Sequence, residues 1–158
     1  KSLSKSNIPI FEVLKYVTER FQERDQNFEE VWCLLPCSPL INFSDLKKIS
    51  RGIMQRKYSK PLMTVTKYPA PVEWAFKIKK KSKLFPLNNQ KFLSASQKLE
   101  ELFFDTGSLY VFDSLDLLKT KTKNIYKKFY GYKLPPHKAI DIDNIEDWNF
   151  ALKLKKIK

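Results

Sequence analysis

The stretch EEVWCLLPCSPL, residues 29–40, contains an unbroken apolar run that two prolines bring to an end. The run extends from Val31 to Leu35, and Pro36 and Pro39 follow it. A short, wholly apolar segment of this kind is typical of a strand that is buried on both faces, as in a parallel sheet. It therefore predicts a central strand with helices packed on either side.

Helical patterns flank this run. Residues 8–24 carry an amphipathic pattern whose inner face would be formed by Ile10, Val13, Leu14, Val17 and Phe21. After the run, Ser44 can cap a helix with Asp45 in its positive first turn. The apolar residues that would face inward from this helix are Leu46, Ile49 and Ile53.

Strand and helix patterns then alternate. Strands are predicted within PLMTVTKYPAP (61–71), GSLYVFD (107–113) and the end of YGYKLPPHKAIDI (130–142), and helices within SASQKLEELF (94–103), SLDLLKTK (114–121) and from residue 145 onward. EWAFKIKKKSKLFPL (73–87) predicts an antiparallel hairpin that extends from the body. The fold class is therefore α/β, a sheet with helices on both faces, in one domain over residues 1–158.

The composition excludes little. The net charge of +13, from 30 Lys+Arg against 17 Asp+Glu, is compatible with a nucleic acid, a membrane surface or an anionic small substrate. No apolar run is long enough to span a bilayer, so no membrane segment is predicted. Cys33 and Cys37 have no nearby His or second Cys pair, and predict reduced, half-buried thiols in a cytoplasmic protein.

Four carboxylates stand out near the C-terminus of this basic chain: Asp141, Asp143, Glu146 and Asp147. One interpretation is helix capping, by Asp143 with Glu146 or by Asn144 with Asp147. The other is a divalent metal site, because Asp141 and Asp143 would project from one face of the last strand at its carboxyl end. Mg²⁺ is commonly held by one or two carboxylates together with substrate phosphates, so this interpretation predicts Mg²⁺ and phosphate chemistry.

Three segments together resemble the acylneuraminate cytidylyltransferases, enzymes that make CMP-activated nonulosonic acids. LLPCSPLINFSDL is similar to the family's strand, Pro-Thr-Ser-Pro-Leu turn and helix, and IDIDNIEDWNFAL to its closing Asp-Ile-Asp-Thr-Pro-Glu-Asp-Trp motif. ASQKLEELFFDTGSLYVFD resembles its Arg-Ser-Gln-Asp-Leu segment, acidic turn and aromatic strand. The Asp-Thr-Gly turn at 105–107 looks most like the pseudaminic acid branch.

The resemblance implies a Rossmann-like, three-layer nucleotidyltransferase with a mostly parallel sheet, which transfers CMP from CTP to a nonulosonic acid and releases pyrophosphate. The implied catalytic and Mg²⁺-binding residues are Asp143 and Asp141. Ser38 and Pro39 would lie in the nucleotide-side loop, and the substrate-binding residues would be Ser96, Gln97, Asp105 and Gly107. The hairpin at residues 74–84 would form a homodimer contact.

Several residues depart from the family pattern. Cys37 stands where Thr is usual, Ala95 replaces an Arg, and Phe104 replaces a His, which leaves the identity of the sugar open. Nothing corresponds to the family's first strand and its CTP-binding loop of Arg, Gly, Ser and Lys, so we expect that part to be missing here and the isolated chain to be inactive.

Two further interpretations remain open. The chain can be a basic nucleic-acid-binding α/β protein that uses phosphate contacts from the hairpin, for which the candidate residues are Lys77, Lys79, Lys80, Lys81 and Lys83. It can also be an inactive remnant that serves as a dimerisation module. Nucleic acid is the less expected partner, because lysine is abundant throughout the chain.

Overall fold

The structure is a computed structural model that describes residues 8–88 and 90–156. In chain order its elements are α1 (Ile10–Gln22), β1 (Glu30–Leu34), α2 (Phe43–Met54), β2 (Leu62–Lys67), β3 (Phe76–Ile78), β4 (Leu84–Pro86), β5 (Phe103–Asp113), α3 (Ser114–Lys119), α4 (Thr122–Ile125), β6 (Tyr130–Lys133) and α5 (Ile145–Lys156). The alternation of strands and helices confirms the α/β class.

The main sheet has the strand order β1-β5-β2-β6. β5 runs antiparallel to both of its neighbours, while β2 and β6 are parallel. β1, β2 and β6 therefore share one direction, and β5 is the reversed strand between them. This is a mixed sheet with most strands aligned, compatible with a Rossmann-like three-layer fold.

The core lies on both faces of β5, because successive side chains of a strand point to opposite faces. Tyr110 and Phe112 face α1, α3 and α4, whereas Leu109 and Val111 face α2. The buried residues of the core form one cluster on each face of the sheet: Phe11, Cys33, Tyr110, Phe112, Leu117 and Ile125 on one face, and Ile49, Leu62, Leu109 and Val111 on the other. Helices thus cover both faces of the sheet.

Two local predictions about the first half are corrected. The apolar run forms β1, but β1 lies at an edge of the sheet that the described residues form, and only Cys33 in it is buried. α1 turns Phe11 and Thr18 inward, while Val17 and Phe21 are exposed. Ile10 and Leu14 pack against the core as predicted, but the prediction was wrong for Val17 and Phe21. The reason is that Phe11, whose ring packs against the aromatic side chains of β5, fixes the rotation of the helix.

The cap of α2 is Asn42 and not Ser44. The Asn42 side chain accepts a hydrogen bond from the backbone N–H of Asp45 at 3.2 Å, and the Asp45 carboxylate accepts one from the backbone N–H of Asn42 at 3.0 Å. This reciprocal capping box satisfies two backbone donors at once, so it displaces the single bond that Ser44 would offer.

The segment before β5 is extended, with only a short 3-10 turn at Ser96–Lys98 where a helix was predicted. The backbone N–H of Tyr68 donates to the carbonyl of Leu102 at 3.1 Å, so the strand pairing begins before Phe103. Gly107 consequently lies inside β5 and does not open it.

The prediction of a last strand that carries Asp141 and Asp143 is also wrong. The last strand of the main sheet, β6, ends at Lys133, and residues 139–144 form no strand. Pro135 and Pro136 explain this difference, because proline has no N–H to continue the ladder beside β2. The closing helix does begin at Ile145 as predicted.

The large apolar side chains of α5 are mostly exposed. Ile145 is 69% exposed, Trp148 50% and Leu152 42%, and Ala151 is the buried residue of this helix. Ala151 is therefore the residue by which the helix packs most closely, while Trp148 and Leu152 line a surface pocket together with Pro39 and Leu40.

The predicted hairpin is confirmed as β3 and β4, which pair antiparallel in a separate two-stranded sheet. Every residue of β3 is exposed. The hairpin is thus regular in its backbone but contributes nothing to the two core clusters.

Candidate active site

Three irregular segments meet beyond the carboxyl end of β1: the turn at residues 36–39, the middle of β5 and the acidic segment at residues 139–144. The backbone N–H of Ile142 donates to the carbonyl of Cys37 at 3.0 Å. The Ser38 hydroxyl lies 3.5 Å from the carbonyl oxygen of Gly107, at the limit of a hydrogen bond. The carboxyl ends of strands in α/β sheets are where ligands commonly bind, so this corner is the candidate active site.

A bulge in β5 brings its backbone into this corner. The step from Met63 to Val65 in β2 is matched by the step from Tyr110 back to Asp105 in β5, so extra residues of β5 are pushed out of the ladder. Gly107, at the bulge, has φ +61°, and a Cβ there would lie 3.0 Å from Asp141 Oδ2. Both the left-handed backbone and the close approach of Asp141 therefore favour glycine at this position.

The bulge also fixes the Asp105 carboxylate. Its Oδ1 accepts the backbone N–H of Gly107 at 2.9 Å, and its Oδ2 accepts the Tyr110 hydroxyl at 2.7 Å. Burial and, next, the hydrogen bond to Asp105 raise the pKa of the Tyr110 hydroxyl. The hydroxyl therefore remains a donor over the ordinary pH range and holds Asp105 in one orientation.

Asp141 lies between the bulge and the turn at residues 36–39. Its Oδ2 abuts Gly107 on one side. On the other side, a hydrogen bond from the Cys37 thiol to the Asp141 carboxylate raises the pKa of Cys37, and partial burial adds to that shift. The carboxylate thus lies between Gly107 and Cys37, while Asp141 as a whole is exposed.

The structure decides between the two capping alternatives. Asn144 Oδ1 accepts the backbone N–H groups of Glu146 at 2.9 Å and Asp147 at 3.0 Å, and Asp147 Oδ2 accepts those of Asp143 and Asn144. The cap of α5 is therefore the pair Asn144 and Asp147. The carboxylates of Asp141 and Asp143 take no part in it.

The donor set suits a hard divalent cation. Asp141 and Asp143 are both exposed, and neither forms an ion pair among the described residues. Within residues 8–88 and 90–156, no group of three His, Cys, Asp or Glu side chains is placed to hold a metal ion by itself. Two carboxylates that leave the remaining positions to phosphate oxygens and water are nevertheless the arrangement that Mg²⁺ commonly takes.

The remaining predicted residues divide between two places. Ser38 is buried beside the bulge and Pro39 is exposed at the same turn. Ser96 lines a separate surface pocket of about 210 Å³, and Gln97 is exposed beside it. The lining of this pocket includes none of the residues of the corner; its link to the corner is Tyr68, whose ring packs against Phe104, the neighbour of Asp105 in the chain, with ring centroids 4.9 Å apart.

Two residues in contact with the site were missed by sequence reasoning. Tyr110 occurs in an apolar run, where nothing in the sequence indicates that its hydroxyl reaches Asp105. Lys138 forms a buried ion pair with Asp45, but it is one of 30 Lys and Arg residues in the chain. Asn42 was detectable, because Asn-x-x-Asp before an apolar helix is a capping-box pattern.

The fold is that of a mixed α/β protein in which Asp141 lies beside a bulge of the reversed strand, and comparison with known sequences indicates which proteins it resembles. No protein-family model matches the chain. The chain is 28% identical over 158 residues to a pseudaminic acid cytidylyltransferase of Campylobacter jejuni serotype O:2, and 27% identical to a pseudaminic acid cytidylyltransferase of serotype O:23/36. Each similarity covers 99% of this chain and 67% of the relative.

The similarity extends along the whole chain and includes all three motif segments. It confirms the resemblance to the acylneuraminate cytidylyltransferases and to their pseudaminic acid branch. The chain spans about two thirds of the length of these relatives. No helix in the described ranges is long and apolar enough to cross a membrane.

Proposed function

We propose that this protein is a cytidylyltransferase that transfers CMP from CTP to a nonulosonic acid of the pseudaminic type, with release of pyrophosphate, for surface glycan biosynthesis. Two relatives that bear this activity in their names support the class of reaction. The observation that carries the assignment of the site is that Asn144 and Asp147 complete the cap of α5 without Asp141 and Asp143. The carboxylates of Asp141 and Asp143 are therefore not used by the cap and are available to bind a metal ion.

The chemistry to be catalysed joins two anions. A sugar hydroxyl attacks the α-phosphate of CTP while pyrophosphate leaves, so stabilisation of negative charge is the main requirement. Asp141 and Asp143 would hold Mg²⁺, which when bound neutralises charge on the phosphates. The two acids would otherwise repel the triphosphate, so their presence beside it requires a cation.

The residues around the acids have complementary roles in this proposal. Ser38 and Pro39 would contact the nucleotide side, and the bulge would present Asp105 and Gly107 to the sugar. The fixed orientation of Asp105, with a donor on each oxygen, suits recognition of sugar hydroxyl groups through its remaining lone pairs.

The pocket beside Ser96 extends this sugar site in the proposal. Its lining includes Lys67, whose ammonium group is 2.7 Å from Glu101. Gln97 would reach the sugar from the same turn. Phe104, which replaces the family's His, packs against Tyr68 and makes this side of the site aromatic, so the sugar preference has to be measured directly.

We also propose that the protein is a homodimer that uses the hairpin at residues 74–84. Directly paired residues of β3 and β4 share a face, so Phe76, Ile78, Leu84 and Pro86 form one apolar face. Ile78 is 74% exposed and Leu84 53% exposed, which favours a contact with a second copy. The opposite face is basic, with Lys79 4.2 Å from the centre of the Phe85 ring.

The test is a pyrophosphate-release assay with CTP, pseudaminic acid and Mg²⁺, using the complete protein product of the gene that encodes this chain. The proposal predicts release that requires all three components and that is weaker with sialic acid. Binding to DNA or RNA with a steep salt dependence, without pyrophosphate release, would instead support the basic nucleic-acid-binding alternative. A folded dimer inactive in both assays would indicate the dimerisation remnant.

A further inference from the structure

We propose that Lys138 is a positioning residue: its ion pair with Asp45 holds the acidic segment, residues 139–144, against the nucleotide-side turn, residues 36–39. The consequence for catalysis rests on the function proposed above. The consequence for the placement of the segment does not, and can be measured separately.

The ion pair is buried and has two close contacts. Lys138 Nζ lies 2.7 Å from both carboxylate oxygens of Asp45, and the side chains are 15% and 6% exposed. Charged groups are rarely buried this deeply unless they are paired, and removal of one partner leaves an uncompensated buried charge. The contact is therefore much more position-specific than the exposed ion pairs of this surface.

Asp45 is itself fixed to the start of α2. It is the third residue of the helix, and in the capping box its carboxylate also accepts the backbone N–H of Asn42. Asn42 lies three residues after Pro39, with Leu40 and Ile41 between them. Lys138 is therefore bound to the same short region that sets the path of the nucleotide-side turn.

On the other side, Lys138 directly precedes the acidic segment. That segment belongs to no strand. Among the described residues, one backbone hydrogen bond joins it to a distant part of the chain, from the Ile142 N–H to the Cys37 carbonyl. The prolines before Lys138 have no N–H to add to a ladder. With so few backbone bonds, the position of Asp141 and Asp143 relative to the turn depends on the ion pair three residues upstream.

This arrangement has a consequence for metal binding. Residues that orient metal ligands without contacting the ion commonly change affinity by about 10–100-fold when they are removed. Lys138 contacts Asp45 and not Asp141 or Asp143, so it acts through the placement of those carboxylates. We therefore expect its loss to weaken binding of the ion more than it slows the reaction at saturating ion.

The experiment compares Lys138→Met with Lys60→Met, a matched control. Lys60 forms a partly buried ion pair with Glu30 at 2.9 Å, but at the opposite end of the sheet. Two properties are measured in the complete protein. The first is the rate of hydrogen exchange at the Ile142 amide. The second is metal affinity, taken from Mn²⁺ binding by electron paramagnetic resonance and from the Mg²⁺ concentration that gives half-maximal pyrophosphate release. Lys138→Arg tests rescue by a residue that keeps the charge.

For Lys138→Met we expect faster exchange at Ile142 and about a 10-fold weaker affinity for Mn²⁺ and Mg²⁺, with turnover at saturating Mg²⁺ close to that of the unaltered protein. Lys60→Met should change neither, and Lys138→Arg should recover part of both effects. If Lys138→Met does not fold, the smaller shifts in Lys138→Arg provide the same comparison.

Exchange and metal affinity equal to those of the Lys60→Met control would overturn the inference. Faster exchange at Ile142 together with no pyrophosphate release by the unaltered protein would support the positioning role and reject the proposed function. Normal pyrophosphate release by the unaltered protein, with an unchanged Mg²⁺ requirement in Lys138→Met, would support the proposed function and reject the positioning role.

Discussion

The candidate active site and the hairpin differ in how their side chains are held, and the regularity of their backbones does not reveal this difference. The site is built from a turn, a bulge and a segment with no regular structure, yet its groups are held by specific bonds, such as that from Tyr110 to Asp105. The hairpin has regular β pairing but exposes its apolar side chains. Irregular backbone is therefore fixed where function is proposed, and regular backbone is left incomplete where a second copy is proposed to bind.

The largest expected effect on activity comes from the removal of a carboxylate from the candidate active site. Asp143→Ala should lower the rate of pyrophosphate release by about 10²-fold or more, because charge on the phosphates would lose its counter-ion. Its thermal stability should be unchanged, since this carboxylate takes no part in the cap. Full activity in the variant would show that the metal assignment is wrong.

Asp147→Ala is the matched control for that experiment. It removes the side chain that accepts two backbone N–H groups at the start of α5, and should cost about 1 kcal/mol of the free energy of unfolding. We expect it to retain turnover. Loss of activity without loss of stability in this variant would contradict the division between cap and site.

The hairpin half of the comparison is tested by Ile78→Asp. A charge on the apolar face should convert the proposed dimer to a monomer, as measured by sedimentation, while the core and its melting transition remain unchanged. Leu115→Asp, at a residue 56% exposed on α3, is the control and should leave the oligomer intact. An unchanged dimer after Ile78→Asp would exclude this face as the contact.

The bulge is tested by Gly107→Ala. A side chain there would adopt the unfavourable left-handed conformation and press on Asp141, so we expect a loss of about 1–3 kcal/mol in the free energy of unfolding together with weaker metal binding. Denaturant titration and Mn²⁺ binding measure the two effects. If stability falls and metal binding does not, Asp141 is not placed by the bulge.

The smallest expected effect concerns Tyr110. Its hydroxyl pKa is raised in the folded state from an ordinary value of 10.0, so the stabilisation by this group is complete below about pH 10 and decreases as the pH rises above it. Tyr110→Phe should lose about 1 kcal/mol of the free energy of unfolding at neutral pH, and this difference should shrink in alkali.

Tyr130→Phe is the control for that titration, because Tyr130 is 52% exposed. It should lose much less of the free energy of unfolding than Tyr110→Phe at neutral pH. Urea denaturation of both variants at neutral pH and in alkali gives the comparison. A Tyr110→Phe difference that does not change with pH would mean that the hydroxyl does not titrate as described.

The sequence predicted the elements whose signals are local. The apolar runs of β1 and β5, the hairpin and the start of α5 are encoded in neighbouring residues, and so is the Asn144–Asp147 box that was one of two capping alternatives. Apart from the cap of α2, where Asn42 and Asp45 are three residues apart, the corrections concern partners that are distant in the chain. Whether residues 140–143 form a strand depends on whether the chain can continue its hydrogen bonds with β2, and Pro135 and Pro136 interrupt that pairing.

The site was predicted less completely for the same reason. Asp141 and Gly107 are 34 residues apart and each is visible in the sequence, but their contact follows only from the size of the β5 bulge. Lys138 and Asp45 are 93 positions apart, and neither has a local pattern that marks the other. A sequence motif thus indicated which residues are present, whereas their arrangement depended on the fold.

The most direct test of the account is a crystal structure of the protein with CTP and Mn²⁺ in place of Mg²⁺, with the metal located by its anomalous scattering. The account predicts a metal peak at ordinary coordination distance, about 2.0–2.2 Å, from a carboxylate oxygen of Asp143, with Asp141 bound directly or through water and phosphate oxygens completing the shell. A nucleotide bound elsewhere, or a peak that neither carboxylate approaches, would contradict it.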